Sequence, residues 1–245
     1  MLKMVFVALF AALVSIPAYA LDGADILKKV DRNLEPESYE SYRKLINIES
    51  NGNQKEYILY TVKKGRDKLL ALFTSPASEK GRSTLRLGDN MWLYVPEVGK
   101  PIRINSLQSV IGGVFNNADI LRLDYSVEYK AETAEETPEG QYLLSLKATS
   151  DAVAYDRLKM WVDKTKLLPL KIEAYAASGL LIKTLTFSQI KDFGGIVRPS
   201  VVETDSPLYK GYKSVMIYAG VKAKTLPDEV FTLDFMSRAG TLQPQ

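Results

Sequence analysis

GDNMWLYVPEVGKPIRINSLQSVIGGVFNNADILRLDY, residues 88–125, carries the order of elements on which the architecture turns. Met91-Trp92-Leu93-Tyr94-Val95 is β-branched and aromatic, as a strand requires. Pro96 lacks the N–H a ladder needs and ends it. Glu97 to Pro101 makes a turn, and Ile102-Arg103-Ile104 returns with apolar and charged residues alternating. Ser106 to Phe115 is then apolar but broken: Leu107, Val110, Ile111, Val114 and Phe115 surround the pair Gly112-Gly113. Asn116 or Asn117 can cap a short helix over Ala118 to Leu123. The plain reading is a connection whose apolar residues cover the end of a sheet. The alternative is a flap, hinged at the glycines, over something apolar.

Working outward, the N-terminus is not a structural element. Lys3, the apolar run Met4 to Val14 and Ala18-Tyr19-Ala20 read as a signal peptide over residues 1–20, with the mature chain starting at Leu21. No later segment approaches the roughly 18 apolar residues of a membrane helix. Export to the periplasm is therefore expected. With no cysteine, stability must come from burial alone. Asp22 can cap a helix over Gly23 to Leu34, in which Ile26, Leu27, Val30 and Leu34 recur on one face.

After Pro36 the pattern turns to strands, among them Tyr39 to Ser50, Lys55 to Lys63, Asp67 to Thr74, Asp124 to Thr133 and Tyr212 to Lys222. Pro227 to Phe231 reads as a short helical turn. About eleven strands joined by short turns form an antiparallel meander, in a single domain over residues 21–245. Several strands, Leu69 to Phe73 for instance, are apolar on both faces. One face must therefore be covered, by the N-terminal helix and the central segment. The fold class is mainly β: a curved antiparallel sheet with helical pieces in its concavity, and any space left there is an apolar cavity.

The residue types present exclude more chemistry than they support. A chain without histidine or cysteine has no Ser-His-Asp triad, thiol nucleophile, or histidine or thiolate metal site. No phosphate-binding glycine motif is present, and a net charge of +3 without basic-aromatic runs gives no case for nucleic acid. Glu132, Glu135, Glu136 and Glu139 sit in a solvated turn, and Asp89, Asp119 and Asp124 suit turn or cap duty better than cation binding. No enzyme activity, cofactor or metal is expected.

Gly88 to Pro96 resembles the G…W-x-Y-x-P strand of the LolA family of periplasmic lipoprotein carriers, and looks closest to the branch described as outer-membrane lipoprotein-sorting proteins. Ile102-Arg103-Ile104 resembles its arginine-containing return strand, and Gly113 to Ile120 its G-x-D-F-x-x-x-D-L-like segment. Met160 to Lys164 with Leu167 to Lys171 resembles its W-x-D…L-P-x-K hairpin, followed by Ser178-Gly179, and Pro227 to Thr232 its P-x-x-x-F-T element. Val114 departs from the pattern, standing where the branch usually has aspartate.

The resemblance implies an open half-barrel with a helical lid, binding acyl chains of lipoproteins or lipids and carrying them between the inner and outer membranes as a monomer. It also implies an RND-type inner-membrane exporter and an outer-membrane acceptor as partners. The expected lipid-binding residues are Trp92, Tyr94, Leu107, Val110, Ile111, Val114, Phe115, Ile120 and Leu121, with either the Trp92-Tyr94 face or the Met91-Leu93 face of the strand turned inward. Arg103 can meet a headgroup or simply the solvent. A periplasmic sensor of the RseB type is the alternative on the same fold, and an enzyme is another. An outer-membrane barrel is disfavoured by the polar C-terminus.

Overall fold

Strict alternation of buried and half-buried residues along Ser38–Ile48 shows what organises the chain: strands with one face in a core. The computed structural model describes residues 22–242, so the expected signal peptide over 1–20 and the start at Leu21 lie outside the described residues. Thirteen strands make a single open antiparallel sheet. In chain order they are β1 (Ser38–Ile48), β2 (Gln54–Lys64), β3 (Lys68–Ser75), β4 (Ser83–Leu87), β5 (Asn90–Tyr94), β6 (Ile102–Arg103), β7 (Tyr129–Glu136), β8 (Gln141–Ala148), β9 (Arg157–Asp163), β10 (Pro169–Tyr175), β11 (Leu181–Asp192), β12 (Val197–Asp205) and β13 (Lys213–Ala223). The count exceeds the expected eleven. The two-residue β6 falls within the return strand expected over Ile102-Arg103-Ile104.

The spatial order is β6-β5-β4-β3-β2-β1-β13-β12-β11-β10-β9-β8-β7. Each strand neighbours its successor except β6, and one further pairing is non-consecutive. β1 pairs with β13, which joins the two halves of the meander at the centre. β6 and β7 are consecutive in sequence yet lie on opposite edges. The connection between them, residues 104–128, therefore has to travel the full width of the sheet. It does so on the concave face, where Val110, Phe115, Ile120 and Leu121 join a core with Leu45, Leu59, Leu144, Met160 and Val162.

The first helix, α1 (Gly23–Leu34), lies on the same face, with Ile26, Leu27, Val30 and Leu34 buried and the Asp22 carboxylate accepting from the Ala24 and Asp25 amides at 3.0 and 3.1 Å. Within the crossing connection, α2 (Asn117–Ile120) is shorter than the expected Ala118–Leu123 and is capped by Asn116. Asp119 completes a reciprocal capping box, with Asn116 N donating to Asp119 Oδ2 at 3.0 Å. The expected strand from Asp124 begins instead with a helical turn, α3 (Tyr125–Glu128). Its free amides are taken by Asp31 of α1, whose carboxylate accepts from Tyr125 N and Ser126 N at 2.8 Å each. That long-range cap is the reason a period-two pattern gives way to a turn of helix.

The expectation that α1 and the crossing segment alone cover the sheet needs correction. The convex face of β2–β4 is covered by the C-terminal 3₁₀ segments Asp228–Phe231 and Asp234–Leu242. Tyr60, Val62, Leu70, Leu72 and Leu85 pack there against Leu226, Val230, Phe231, Phe235 and Met236. Leu69, Ala71 and Phe73 face the other way, into the concave core. This second layer is why the run from Leu69 to Phe73 is apolar on both faces.

Candidate functional site: a cavity closed by the crossing segment

Five neighbouring strands supply the apolar floor of a cavity: Leu158 of β9, Ile172 of β10, Leu185 and Phe187 of β11, Val202 of β12 and Met216 of β13. Phe115, Ala118 and Arg122 of the crossing segment roof it, with Tyr125, Tyr129, Ala154 and Tyr155 on its walls. Its volume is about 60 Å³. On this measure a single water needs roughly 10–15 Å³, so the space holds a few waters. Ligand pockets run to roughly 300–1,000 Å³. The cavity is thus present but too small for an acyl chain, which enters only when the roof moves or the walls repack.

What holds the roof down is polar, and most of it grips main chain. Lys183 of β11 donates to Val114 O at 2.6 Å and to Asp119 Oδ2 at 2.7 Å. Tyr155 donates to Asp119 Oδ1 at 2.9 Å. From β1, Arg43 donates to Ile120 O at 3.1 Å and Asn47 to Ile111 O at 3.3 Å. Arg86 of β4 donates to Leu121 O at 3.1 Å, and Ser214 of β13 accepts from Val114 N at 2.9 Å. At this end of the segment the Val114 carbonyl and the Asp119 carboxylate are the two acceptors that Lys183 meets.

At the inner end of the cavity a buried charge network centres on Glu35, which follows α1. Arg122 reaches Glu35 at 2.8 Å, Arg198 at 3.2 Å and Lys63 at 3.6 Å. Lys63 also pairs with Asp124. Burial pushes the Glu35 carboxyl upward, but the charges of Arg122, Lys63 and Arg198 outweigh that and hold it well below the carboxylate range. A depressed acid contributes stability that is present above its unfolded value and lost as pH falls through its folded one. Glu35 therefore stabilises the protein at neutral pH, and that contribution begins to decline only below about 4.5, on the way to its much lower folded value. Asp31, pushed up by burial, acts in the opposite sense. Glu35→Gln is expected to lower stability at neutral pH by about 3–5 kcal/mol and to flatten the loss of stability with acid. Urea melts between neutral and acid pH check both.

Of the residues expected to bind lipid, Phe115 lines the cavity itself. Val110, Ile120 and Leu121 are buried in the concave core beside it, and Ile111 packs against that core. Val114 is buried, near Asn47 and Lys213 at the end of the segment. Leu107 is 51% exposed. Trp92 and Tyr94 are placed elsewhere: both are half-buried on the convex face, against the layer that holds Phe235 and Met236, while Met91 points into the concave core. The inward face of β5 is therefore the Met91-Leu93 face. Arg103 is exposed and bonds Asn90 on the surface.

The charged residues of the cavity were missed because polar side chains in a strand are ordinarily assigned to solvent. The signal was there in the alternation: Arg43 sits two residues before Leu45, Lys183 two before Leu185 and Arg198 four before Val202, all on the inward face.

A family model described as that of an uncharacterized protein matches residues 65–238. A LolA superfamily protein from Nitrosomonas europaea superposes with a TM-score of 0.79 at 28% identity, over 88% of this chain and 100% of that one. A putative outer membrane lipoprotein-sorting protein domain from Vibrio parahaemolyticus has a TM-score of 0.74 at 21% identity, covering 88% and 98% of the two chains. A DUF1329 family protein from Desulfovibrio piger has a TM-score of 0.76 at 23% identity, covering 87% and 97%. No curated protein matches this chain. No helix among the described residues is long and apolar enough to cross a membrane.

Proposed function

Because this chain belongs to the LolA superfamily, we propose that it is a periplasmic carrier that takes acyl chains of lipoproteins or lipids into the cavity beneath residues 104–128. The observation that carries this reading is a row of apolar side chains from β9–β13 roofed by a segment that polar contacts hold shut. Each methylene moved from water into such a site contributes about 0.8 kcal/mol, so a single acyl chain supplies enough affinity for passage through an aqueous compartment. Hydrogen bonds to main-chain carbonyls can be exchanged for water when the roof lifts, at a net cost of about 0.5–1.5 kcal/mol for the neutral Asn47 donor and about 1.5–3 kcal/mol for each of the charged donors Lys183, Arg43 and Arg86. The roof can therefore open without unfolding the sheet. Cargo moves between the inner and outer membranes in this scheme, with an RND-type exporter on the inner side and an acceptor on the outer. The protein itself acts as a monomeric binder and performs no catalysis.

Native mass spectrometry of protein taken from the periplasm, followed by lipid extraction, is the test. A co-purified lipid or lipoprotein is the expected result, together with saturable binding of a fluorescent fatty-acyl probe. Ala154→Trp, which fills the cavity from its wall, is expected to weaken that probe at least about tenfold while the protein stays folded. An empty protein that binds no acyl probe would overturn the reading.

A further inference from the structure

Three arginines line a cavity whose floor is hydrocarbon, and their partners do not balance. Glu35 serves Arg122, Arg198 and Lys63 together. The other carboxylates at the cavity are engaged: Asp119 by Lys183 at 2.7 Å and Glu128 by Arg86 at 2.5 Å. Arg43 has no carboxylate within salt-bridge distance among the described residues. It is 3% exposed and donates only to neutral groups: Ser41 Oγ at 3.1 Å, Ile120 O at 3.1 Å and Tyr39 Oη at 3.0 Å. A guanidinium in a low-dielectric interior without a counter-charge is costly. The Tyr218 ring lies 5.0 Å from the Arg43 guanidinium and 3.8 Å from that of Arg198, at the cavity wall. Burial pushes the Tyr218 phenol up, yet the two guanidinium groups more than offset this and bring it below its ordinary value.

We infer that the cavity selects amphiphiles with an anionic group, the acid seated by Arg43 and Arg198 beside Tyr218 and the chain laid along the floor from Leu158 to Met216. The cluster then supplies both the counter-charge Arg43 lacks and a fixed end for the cargo. A carboxylate or a phosphate oxygen satisfies the same donors. This inference rests on the acyl-chain reading above and adds the chemistry of the head.

The test is equilibrium binding of oleate, oleoyl lysophosphatidate, oleyl alcohol and oleylamine to the delipidated full-length mature protein. Both anions are expected to bind at least about tenfold tighter than the alcohol, with the amine weakest, and the tighter anion identifies the head. Arg43→Met is expected to bring the anions to within about twofold of the alcohol, and Arg43→Lys to keep most of the preference. If the methionine variant does not fold, the order of the four probes on the unaltered protein decides. Equal affinity for anion and alcohol would overturn the inference and leave the acyl site standing. An undiminished preference in folded Arg43→Met would overturn the role of this arginine. If none of the four binds, the acyl site itself falls, and the inference with it.

Discussion

Lys183→Met is expected to destabilise the protein by about 3–5 kcal/mol and to free the segment over the cavity, because it removes the cation from a buried pair. Lys183 is 3% exposed, and its ammonium meets Asp119 at 2.7 Å and the Val114 carbonyl at 2.6 Å. Asp119 is tied in turn to Tyr155 at 2.9 Å, and the Tyr155 hydroxyl accepts from Asn116 at 2.7 Å. With the lysine gone, the Asp119 carboxylate is left in an apolar setting with neutral partners only. The double variant Lys183→Met, Asp119→Asn leaves no charge behind and is expected to recover a large part of the loss. Urea denaturation measures the energies, and limited proteolysis over residues 105–123 reports the release of the segment. A cost below about 1 kcal/mol would mean that this pair does not hold the roof.

The second large effect is expected at Gly113. A Cβ added there would lie 2.1 Å from Asn47 Oδ1, 2.5 Å from its Cγ and 2.6 Å from its Nδ2. The amide cannot simply swing away, since its oxygen accepts from Ser214 at 2.8 Å and its nitrogen donates to Ile111 O at 3.3 Å. Gly113→Ala is therefore expected to cost about 2–3 kcal/mol and to lift the end of the segment off β1. Faster proteolysis and a higher acyl on-rate are the readouts. Removing the obstruction with Asn47→Ala in the same chain is expected to restore part of the stability. Gly112 behaves differently: its φ is +73° and nothing lies within 4 Å of an added Cβ. Gly112→Ala meets backbone strain alone, about 1 kcal/mol. The glycine pair read as a hinge thus divides its work. Gly112 permits a left-handed turn, and Gly113 permits close approach to the sheet.

Which half of this protein can be read from residues alone follows from the range of the interactions involved. Period-two alternation, turn glycines and prolines, and the Asp22 cap are local, so the strands, α1 and the apolar central segment were legible in the chain. The candidate roof was legible only as one of two readings, since apolar residues around two glycines also suit a plain connection over the end of a sheet. The strand pairings that matter most were not. Nothing near β1 announces β13 as its neighbour, and only that pairing sends β6 and β7 to opposite edges and forces residues 104–128 across the concavity. The same limit governs the site. Trp92 and Tyr94 face outward because the C-terminal segment, more than a hundred residues on, folds back to cover them. Arg43, Lys183 and Arg198 face inward because remote main-chain carbonyls, a carboxylate and an aromatic ring wait there to receive them. Local pattern determined the class of fold and the hydrocarbon surfaces. Long-range pairing decided which charges share the hollow with them, because the partner that makes a buried charge tolerable is a neighbour in space and not in sequence.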